Sequence, residues 1–284
     1  MDPTIFGWAL LGPVISLIVA LPITVKYKDN SLVDIGWALG FVSMAWISFL
    51  YNGIKYSSWS LRQILITSLV TVWGIRLITY IIVRRKIRKV EDKRFVTYRE
   101  KWQSNFILKS FLVIFVPQMI IVYIIGSPVV YANSITDTAL IPSLHGIILL
   151  AIGAAVWLEG FFFETVGDIQ LMKFRNNPAN KGKTLSSGLW KFSRHPNYFG
   201  ESEQWWGIFI IALSFAFDDL SNITHIIVGW VMILGPITLT LLLLKFSGIP
   251  TLETEEMLNK REGYKEYIET TSSFIPWFPK KKKN

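Results

Sequence analysis

The chain has 284 residues, of which 51% are hydrophobic and only 17% charged, with a mean hydropathy of +0.41 and a formal net charge of +9. A soluble domain usually carries about a quarter charged residues, so this composition argues against a soluble domain and favours a membrane protein. The sequence contains no cysteine, which excludes disulfides, thiol catalysis and cysteine-ligated metal.

Seven stretches of about 20 mainly apolar residues are long enough to cross a bilayer. We predict transmembrane helices over 5–25, 32–51, 61–83, 106–126, 142–163, 202–217 and 223–245. The sixth stretch is short, and we expect its helix to extend back toward Pro196. The first lacks a basic leader and a cleavage site, so we expect it to be retained. Their even spacing predicts one all-α, polytopic membrane domain over 1–284.

The Lys and Arg residues are confined to alternate loops, which predicts the orientation of the chain. Nine, six and eight of them lie in 84–105, 168–200 and 245–284. Only Lys55 lies in the loops expected on the opposite side, 52–60, 127–141 and 218–222. Because basic loops stay cytoplasmic, we expect the N-terminus outside and the C-terminus in the cytoplasm. The basic loops are tied to the bilayer surface, which favours membrane lipids as partners and argues against nucleic acid.

Ionisable side chains inside the predicted spans are costly, and they usually face a cavity or one another. Asp34 opens the second span in SLVDIGWALG, and Arg76 lies in the middle of the third in TVWGIRLITY. Each also has a structural interpretation. Asp34 suits the start of a helix dipole, and Arg76 suits an ion pair with Asp34 or Glu159. Both interpretations stay open at this point.

A polar stripe follows the fifth span. Glu164, Asp168 and Arg175 fall on one side of a helix if that helix continues past Glu164. They would then form a wall of a polar site on the cytoplasmic side. The next segment, 176–190, is rich in Pro, Gly, Asn, Lys and Ser, which predicts a loop suited to an anionic ligand.

The stretch SRHPNYFGE (193–201) concentrates polar side chains just before an apolar run. Pro196 suits the first turn of a helix, because its missing N–H costs nothing there. Asn197 and Glu201 would then share a face, with Arg194 at the positively polarised helix start. This arrangement suits a nucleotide-type cofactor. A capped helix with an arginine at the lipid headgroups explains the same residues equally well.

Five stretches together resemble the C-terminal domain family of the steroid 5α-reductases, in particular its DUF1295 branch. They are SLVDIGWALGF (31–41), TVWGIRL (71–77), FFFETVGDIQLMKFRNNPANKGK (161–183), SGLWKFSRHPNYFGE (187–201) and SGIPTLETEEMLNKREGYKEYIETTSSFIPWFP (247–279). The resemblance covers nearly the whole chain, in order. The RHP piece alone also occurs in isoprenylcysteine and phospholipid methyltransferases. The NYFGE and GDIQLMKFR pieces are more similar to the reductases.

The resemblance implies a steroid-reductase-like fold in which the cytoplasmic ends of the last helices hold NADPH. Substrate-side helices would lie in 1–130 and a cofactor-binding half in 142–279. The implied cofactor residues are Glu164, Asp168, Arg175, Lys181, Lys183, Arg194, His195, Asn197, Tyr198, Glu201, Glu253, Tyr264 and Tyr267. Arg194 would be the foremost phosphate ligand among them. For Tyr264 and Tyr267, interfacial anchoring is an equal alternative.

The implied reaction is hydride transfer from NADPH to a C=C bond conjugated to a carbonyl in a steroid-like or other lipid. The implied catalytic residues are Asp34, Trp73 and Arg76. Trp73 stands where the reductases have a Tyr, and an indole N–H donates a hydrogen bond but delivers no proton. The identity of the substrate therefore stays open. The oligomeric state stays open as well.

Two other functions stay in view. One is an S-adenosylmethionine-dependent membrane methyltransferase, and the other is a non-catalytic protein on the same fold. The expected location is the endoplasmic reticulum in a eukaryote or the inner membrane in a bacterium.

Overall fold

The computed structural model of the chain describes residues 1–27, 33–57, 59–88, 93–102, 105–136, 142–218, 220–254 and 261–281. All regular elements among these residues are helical, which confirms the all-α prediction. They are α1 (Thr4–Ala9), α2 (Leu11–Tyr27), α3 (Val33–Tyr56), α4 (Leu61–Arg88), α5 (Lys93–Trp102), α6 (Phe106–Ser110), α7 (Val116–Ser134), α8 (Leu144–Asn176), α9 (Pro196–Ala216), α10 (Ile223–Val231), α11 (Leu234–Leu241), α12 (Ile249–Leu252) and a tail helix (Tyr264–Thr270). Two π-helical turns, Phe111–Phe115 and Leu242–Phe246, follow α6 and α11, and two short 3-10 helices, Pro178–Asn180 and Gly188–Lys191, lie between α8 and α9.

Six helical stretches in the described parts of the chain are long and apolar enough to cross a membrane, and they make this a polytopic membrane protein. They are Thr4–Thr24, Val33–Tyr56, Leu61–Ile87, Phe106–Ser134, Leu144–Asn176 and Ile223–Leu252. They correspond to the predicted spans one to five and seven. The predicted sixth span is α9, which begins at Pro196 as expected. It is not among the six, and its first half carries Asn197, Glu201 and Glu203. The number of crossings and the orientation stay predictions.

The chain divides into two compact units. Unit 1 comprises 1–150 and 209–235, and unit 2 comprises 151–208 and 236–284. The division passes through α8 and α9, so each of these helices contributes to both units. The proposed substrate and cofactor halves of the sequence stay predictions.

Unit 1 is joined by polar contacts between helices as well as by apolar packing. Asn133 of α7 is fully buried, and its Nδ2 donates to Ala45 O at 3.2 Å and to Ser48 Oγ at 2.9 Å. The guanidinium of Arg62, at the start of α4, pairs with the Asp218 carboxylate beyond α9. Such contacts join helices inside a membrane, where apolar side chains gain nothing by leaving lipid for one another.

Glycines bring α8 and α9 together in unit 2. They recur every seven residues, so those of each helix share one face: Gly153, Gly160 and Gly167 on α8, and Gly200 and Gly207 on α9. A Cβ on Gly160 would lie 2.6 Å from Gly200 O, and one on Gly207 would lie 2.7 Å from Gly153 O. Only glycine allows this approach, and the approach brings the polar side chains of both helices into contact.

Candidate functional site

The polar stripe predicted after span five lies on one continuous helix, because α8 runs without interruption from Leu144 to Asn176. Glu164 and Asp168 are buried, with 3% and 4% of their surface exposed. Arg175 is exposed near the end of the helix. The two carboxylates are therefore surrounded by protein, whereas Arg175 lies on the part of the helix that is exposed.

Each of these carboxylates accepts a hydrogen bond from an amide on α9. Gln204 Nε2 donates to Glu164 Oε2 at 2.7 Å, and Asn197 Nδ2 donates to Asp168 Oδ1 at 3.1 Å. We call these contacts the two amide–carboxylate pairs. In both pairs the amide oxygen, Asn197 Oδ1 or Gln204 Oε1, is buried and has no hydrogen-bond partner among the described residues. Buried acceptors without a donor are rare in proteins and call for a ligand or water.

Pro196 opens α9 as its missing N–H predicted, and it lies close to Gly167 of α8. The His195 N–H donates to Ser193 Oγ at 3.1 Å just before the helix begins. Asn197, Glu201 and Gln204 then follow at i, i+4 and i+7, so all three lie on one face. The sequence interpretation named the first two and missed Gln204. The i+7 spacing from Asn197 was the signal that could have found it.

Almost every N–H donor of the Arg194 guanidinium has a protein acceptor. Its Nε and Nη2 donate to Glu253 Oε1 and Oε2 at 2.8 and 2.9 Å. Its Nη1 donates to the carbonyl oxygens of Ile268 and Thr271 at 2.7 and 3.1 Å. Four of the five guanidinium N–H groups thus have protein partners, and only 9% of the residue is exposed. Arg194 acts here as a clamp on the C-terminal segment.

His195 also binds Glu253, with His195 Nε2 2.9 Å from Glu253 Oε1. Burial alone would raise the pKa of the Glu253 carboxyl. The hydrogen bonds from His195 and Arg194 outweigh burial and lower this pKa below its ordinary value of 4.5. Glu253 is therefore ionised at neutral pH and neutralises the charge of Arg194. Tyr198 stacks on the His195 ring at a centroid distance of 5.5 Å.

Residues 261–281, which we call the strap, pack against the segment that precedes α9. The Arg194 N–H donates to Ser272 O at 2.9 Å, and Ser193 Oγ donates to Phe274 O at 2.7 Å. Tyr267 is buried, and its hydroxyl donates to the carbonyl oxygens of Trp190 and Ser193. Burial raises the pKa of Tyr267. These contacts favour a packing role for Tyr267 over interfacial anchoring.

Tyr264 lies beside Tyr267 in the tail helix and is also buried, with 4% of its surface exposed. The two rings are 6.1 Å apart at their centroids, and burial raises the pKa of Tyr264 as well. Neither hydroxyl lies in the exposed position that an interfacial anchor requires.

Lys181 and Lys183 are exposed on the loop that joins α8 to α9. The backbone of this loop is tied to the start of the strap, because the Glu262 N–H donates to Gly182 O at 2.9 Å. Gly182 has a φ of 81°, a left-handed conformation that favours glycine. The backbone that carries the two lysines is thus held in place, and their side chains are exposed. Glu201 is half-buried, one turn after Asn197.

The three predicted catalytic residues all lie in unit 1. Asp34 is in the first turn of α3, with its carboxylate 3.8 Å from the Arg84 guanidinium. Trp73 is 1% exposed and packs edge-on against Phe41 at a centroid distance of 5.5 Å. Arg76 is half-buried and lies 5.6 Å from the centre of the Tyr80 ring. Their catalytic roles stay predictions.

Comparisons with known proteins support one family. The model of a family described as protein of unknown function, DUF1295, matches residues 20–271, a range that includes every candidate site residue. An uncharacterized protein of Schizosaccharomyces pombe is 26% identical over 283 aligned residues, which cover 89% of this chain and 74% of the yeast protein. A probable O-methyltransferase, ustE, of Ustilaginoidea virens is 43% identical over 49 residues, or 17% of each chain. No solved structure matches the chain.

Proposed function

The chain belongs to the DUF1295 family, and from this premise we propose that it is a membrane-embedded, NADPH-dependent reductase. It would reduce a C=C bond conjugated to a carbonyl in a lipophilic substrate. The family description assigns no function. The proposal combines the sequence resemblance to steroid 5α-reductases with the geometry of unit 2.

The observation that carries the proposal is the set of two amide–carboxylate pairs. Asn197 Oδ1 and Gln204 Oε1 are buried acceptors that need donors. They lie seven residues apart on one helix face, which is about 10 Å along the axis. Ribose hydroxyls and a carboxamide NH₂ are donors of the required kind, and a nicotinamide nucleotide carries both. The residues present therefore fit the amide and sugar parts of the cofactor.

The phosphates need positive partners, and NADPH has one more phosphate than NADH. Arg194 has committed four N–H groups to Glu253, Ile268 and Thr271. In our proposal Arg194 therefore positions the strap. The exposed side chains of Arg175, Lys181 and Lys183 then contact the phosphates. When bound, the cofactor would supply a hydride to the substrate.

The side chains of the two pairs have separate tasks in this proposal. Asp168 fixes the Asn197 amide so that Asn197 Oδ1 faces a ligand donor, because Asp168 Oδ1 accepts the hydrogen bond from Asn197 Nδ2. Glu164 fixes Gln204 in the same way. Such preorganisation avoids reorganisation when the ligand arrives. Polarisation of the substrate carbonyl by Trp73, Asp34 and Arg76 is carried over from the resemblance alone.

Ligand-induced thermal stabilisation of the detergent-purified protein tests the proposal. We would titrate NADPH, NADH and S-adenosylmethionine against the wild type, Asn197→Ala and Gln204→Ala. We expect NADPH to raise the unfolding temperature of the wild type, since a ligand at 100 times its Kd stabilises by about 2.7 kcal/mol. Both variants should lose this shift.

A matched control removes an Asn that caps a helix and has no place in the proposed site. Asn222 accepts the His225 N–H at the start of α10 in unit 1. Asn222→Ala should lower the basal unfolding temperature and keep the NADPH shift. A wild type that does not respond to NADPH would refute the cofactor assignment. Equal NADPH shifts in the wild type and Asn197→Ala would refute the proposed position of the site.

A methyltransferase is the second candidate, and one observation favours it. The 49-residue match to the probable O-methyltransferase of Ustilaginoidea virens has a higher sequence identity (43%) than the long match to the yeast protein (26%). Buried amide oxygens also suit the hydroxyl and amino donors of S-adenosylmethionine. A shift with S-adenosylmethionine and none with NADPH would establish this alternative.

A further inference from the structure

The end of the strap exposes large apolar side chains beyond the last candidate membrane span. That span ends at Leu252, and Ile275, Trp277 and Phe278 are 62%, 70% and 75% exposed. Exposed apolar residues on spanning helices face lipid and need no further account. These three lie 23 or more residues past the last span, where water would otherwise surround them.

The exposed side chains are fixed in place by their backbone. The Trp277 N–H donates to Phe192 O at 2.9 Å, and the Lys280 N–H donates to Thr270 O at 2.8 Å. The Phe278 ring packs edge-on against Phe192 at a centroid distance of 5.9 Å. Pro276 and Pro279 restrict the backbone further. The apolar surface is therefore presented on a rigid support and is preorganised for a partner.

Positive charge follows this surface directly. Lys280 and Lys281 are exposed, and Lys282 and Lys283 continue the run outside the described residues. Trp concentrates at the boundary between hydrocarbon and water, Phe is common on the inserted face of interfacial segments, and lysine clusters bind anionic headgroups. One apolar element and one basic element together give stable surface binding, whereas either alone binds weakly.

We propose that residues 275–281 form an interfacial anchor that inserts Trp277 and Phe278 at the headgroup level of a bilayer and binds anionic lipid headgroups through Lys280 and Lys281. This inference does not depend on the proposed function. The anchor is the last part of the strap, and the preceding part of the strap binds Arg194 through Ile268, Thr271 and Ser272. Membrane contact at the anchor would thus also hold the strap against the segment before α9.

The absence of cysteine makes a direct test possible, because one introduced thiol is labelled without competition. We would attach an environment-sensitive fluorophore through Phe278→Cys and reconstitute the full chain in nanodiscs of phosphatidylcholine, with and without phosphatidylserine. Ser273→Cys is the matched control, an exposed polar position on the same strap. We expect a blue-shifted emission and quenching by headgroup-labelled nitroxide lipid at position 278, and neither at position 273.

The contribution of Lys280 and Lys281 is tested in the labelled Phe278→Cys protein. Each lysine near an anionic surface contributes about fivefold to binding. Lys280→Gln with Lys281→Gln should therefore weaken the phosphatidylserine-dependent binding at position 278 by about 25-fold. Identical spectra at positions 278 and 273 would overturn the anchor. A signal indifferent to phosphatidylserine would overturn the recognition of anionic headgroups. A blue shift that rises with protein concentration, without nitroxide quenching, would assign the surface to a protein contact instead.

Discussion

Glu253 illustrates how one side chain determines the roles of its neighbours. It accepts hydrogen bonds from Arg194 and is bound to His195, two consecutive residues of the SRHPNYFGE stretch. A buried guanidinium is stable only when its charge is neutralised and its donors are satisfied. Glu253 meets the first need, and the backbone carbonyls of the strap meet much of the second. Arg194 therefore joins the segment before α9 to Glu253 and to the strap.

This arrangement predicts an acid-sensitive strap. The pKa of Glu253 is lowered in the folded protein, so its contribution to stability is present above the ordinary value of 4.5 and is lost as the pH falls through the folded pKa. We expect the strap to become sensitive to protease at Lys265 as the pH falls below about 4.5. Glu253→Gln should give this sensitivity already at neutral pH, with a loss of about 2 kcal/mol in strap stability.

Limited proteolysis from pH 7 downward measures this effect, with cleavage detected by mass spectrometry. Glu269→Gln is the control, because Glu269 is exposed on the same tail helix. It should behave like the wild type at every pH. Equal protection of Glu253→Gln and the wild type at neutral pH would contradict the clamp.

At the scale of elements, the contact between α8 and α9 decides which polar groups meet. Glycines every seven residues let the two backbones touch, and the amide–carboxylate pairs form beside them. Residue spacing predicts the stripe past Glu164 on the condition that the helix continues, and the missing N–H of proline predicts the start of α9 at Pro196. The i+7 spacing from Asn197 would also have placed Gln204 on the same face of α9, whereas the commitment of Arg194 to the strap could not be predicted from spacing. Arg194 contacts Glu253 and the strap, which are distant in sequence, and helical periodicity carries no information on such contacts.

The close contact predicts a large effect for a small substitution one turn after Gln204. A Cβ at Gly207 would lie 2.7 Å from both Gly153 O and Trp157 N, closer than real Cβ contacts. Gly207→Ala should therefore force α8 and α9 apart and cost about 1–3 kcal/mol. Gly7→Ala is the control, since nothing lies within 4 Å of a Cβ there. Alanine suits a helix better than glycine, so this control should be neutral or slightly stabilising.

Thermal unfolding in detergent and the yield of monodisperse protein measure the difference between the two variants. A Gly207→Ala protein as stable as Gly7→Ala would show that the two helices can separate without cost. The glycine spacing would then have no structural role in this pair.

At the scale of the whole molecule, the orientation in the membrane depends on α9. The six candidate spans in the described residues are strongly apolar, whereas the first half of α9 is polar. If α9 crosses, the basic segments 168–200 and 245–284 lie on the same side of the membrane. If it does not, the last span carries the eight basic residues of 245–284 to the opposite side. The tendency of basic loops to stay cytoplasmic favours a crossing.

Single thiols on either side of α9 decide between these arrangements, again because the chain has no cysteine of its own. Ser187 and Leu220 are exposed, one before α9 and one after it. In sealed vesicles with the cytoplasmic face outward, a membrane-impermeant maleimide should label Ser187→Cys and reach Leu220→Cys only after permeabilisation. Labelling of both positions in intact vesicles would mean that α9 does not cross. The polar face of α9 would then lie on the membrane surface, and the predicted orientation of every later segment would reverse.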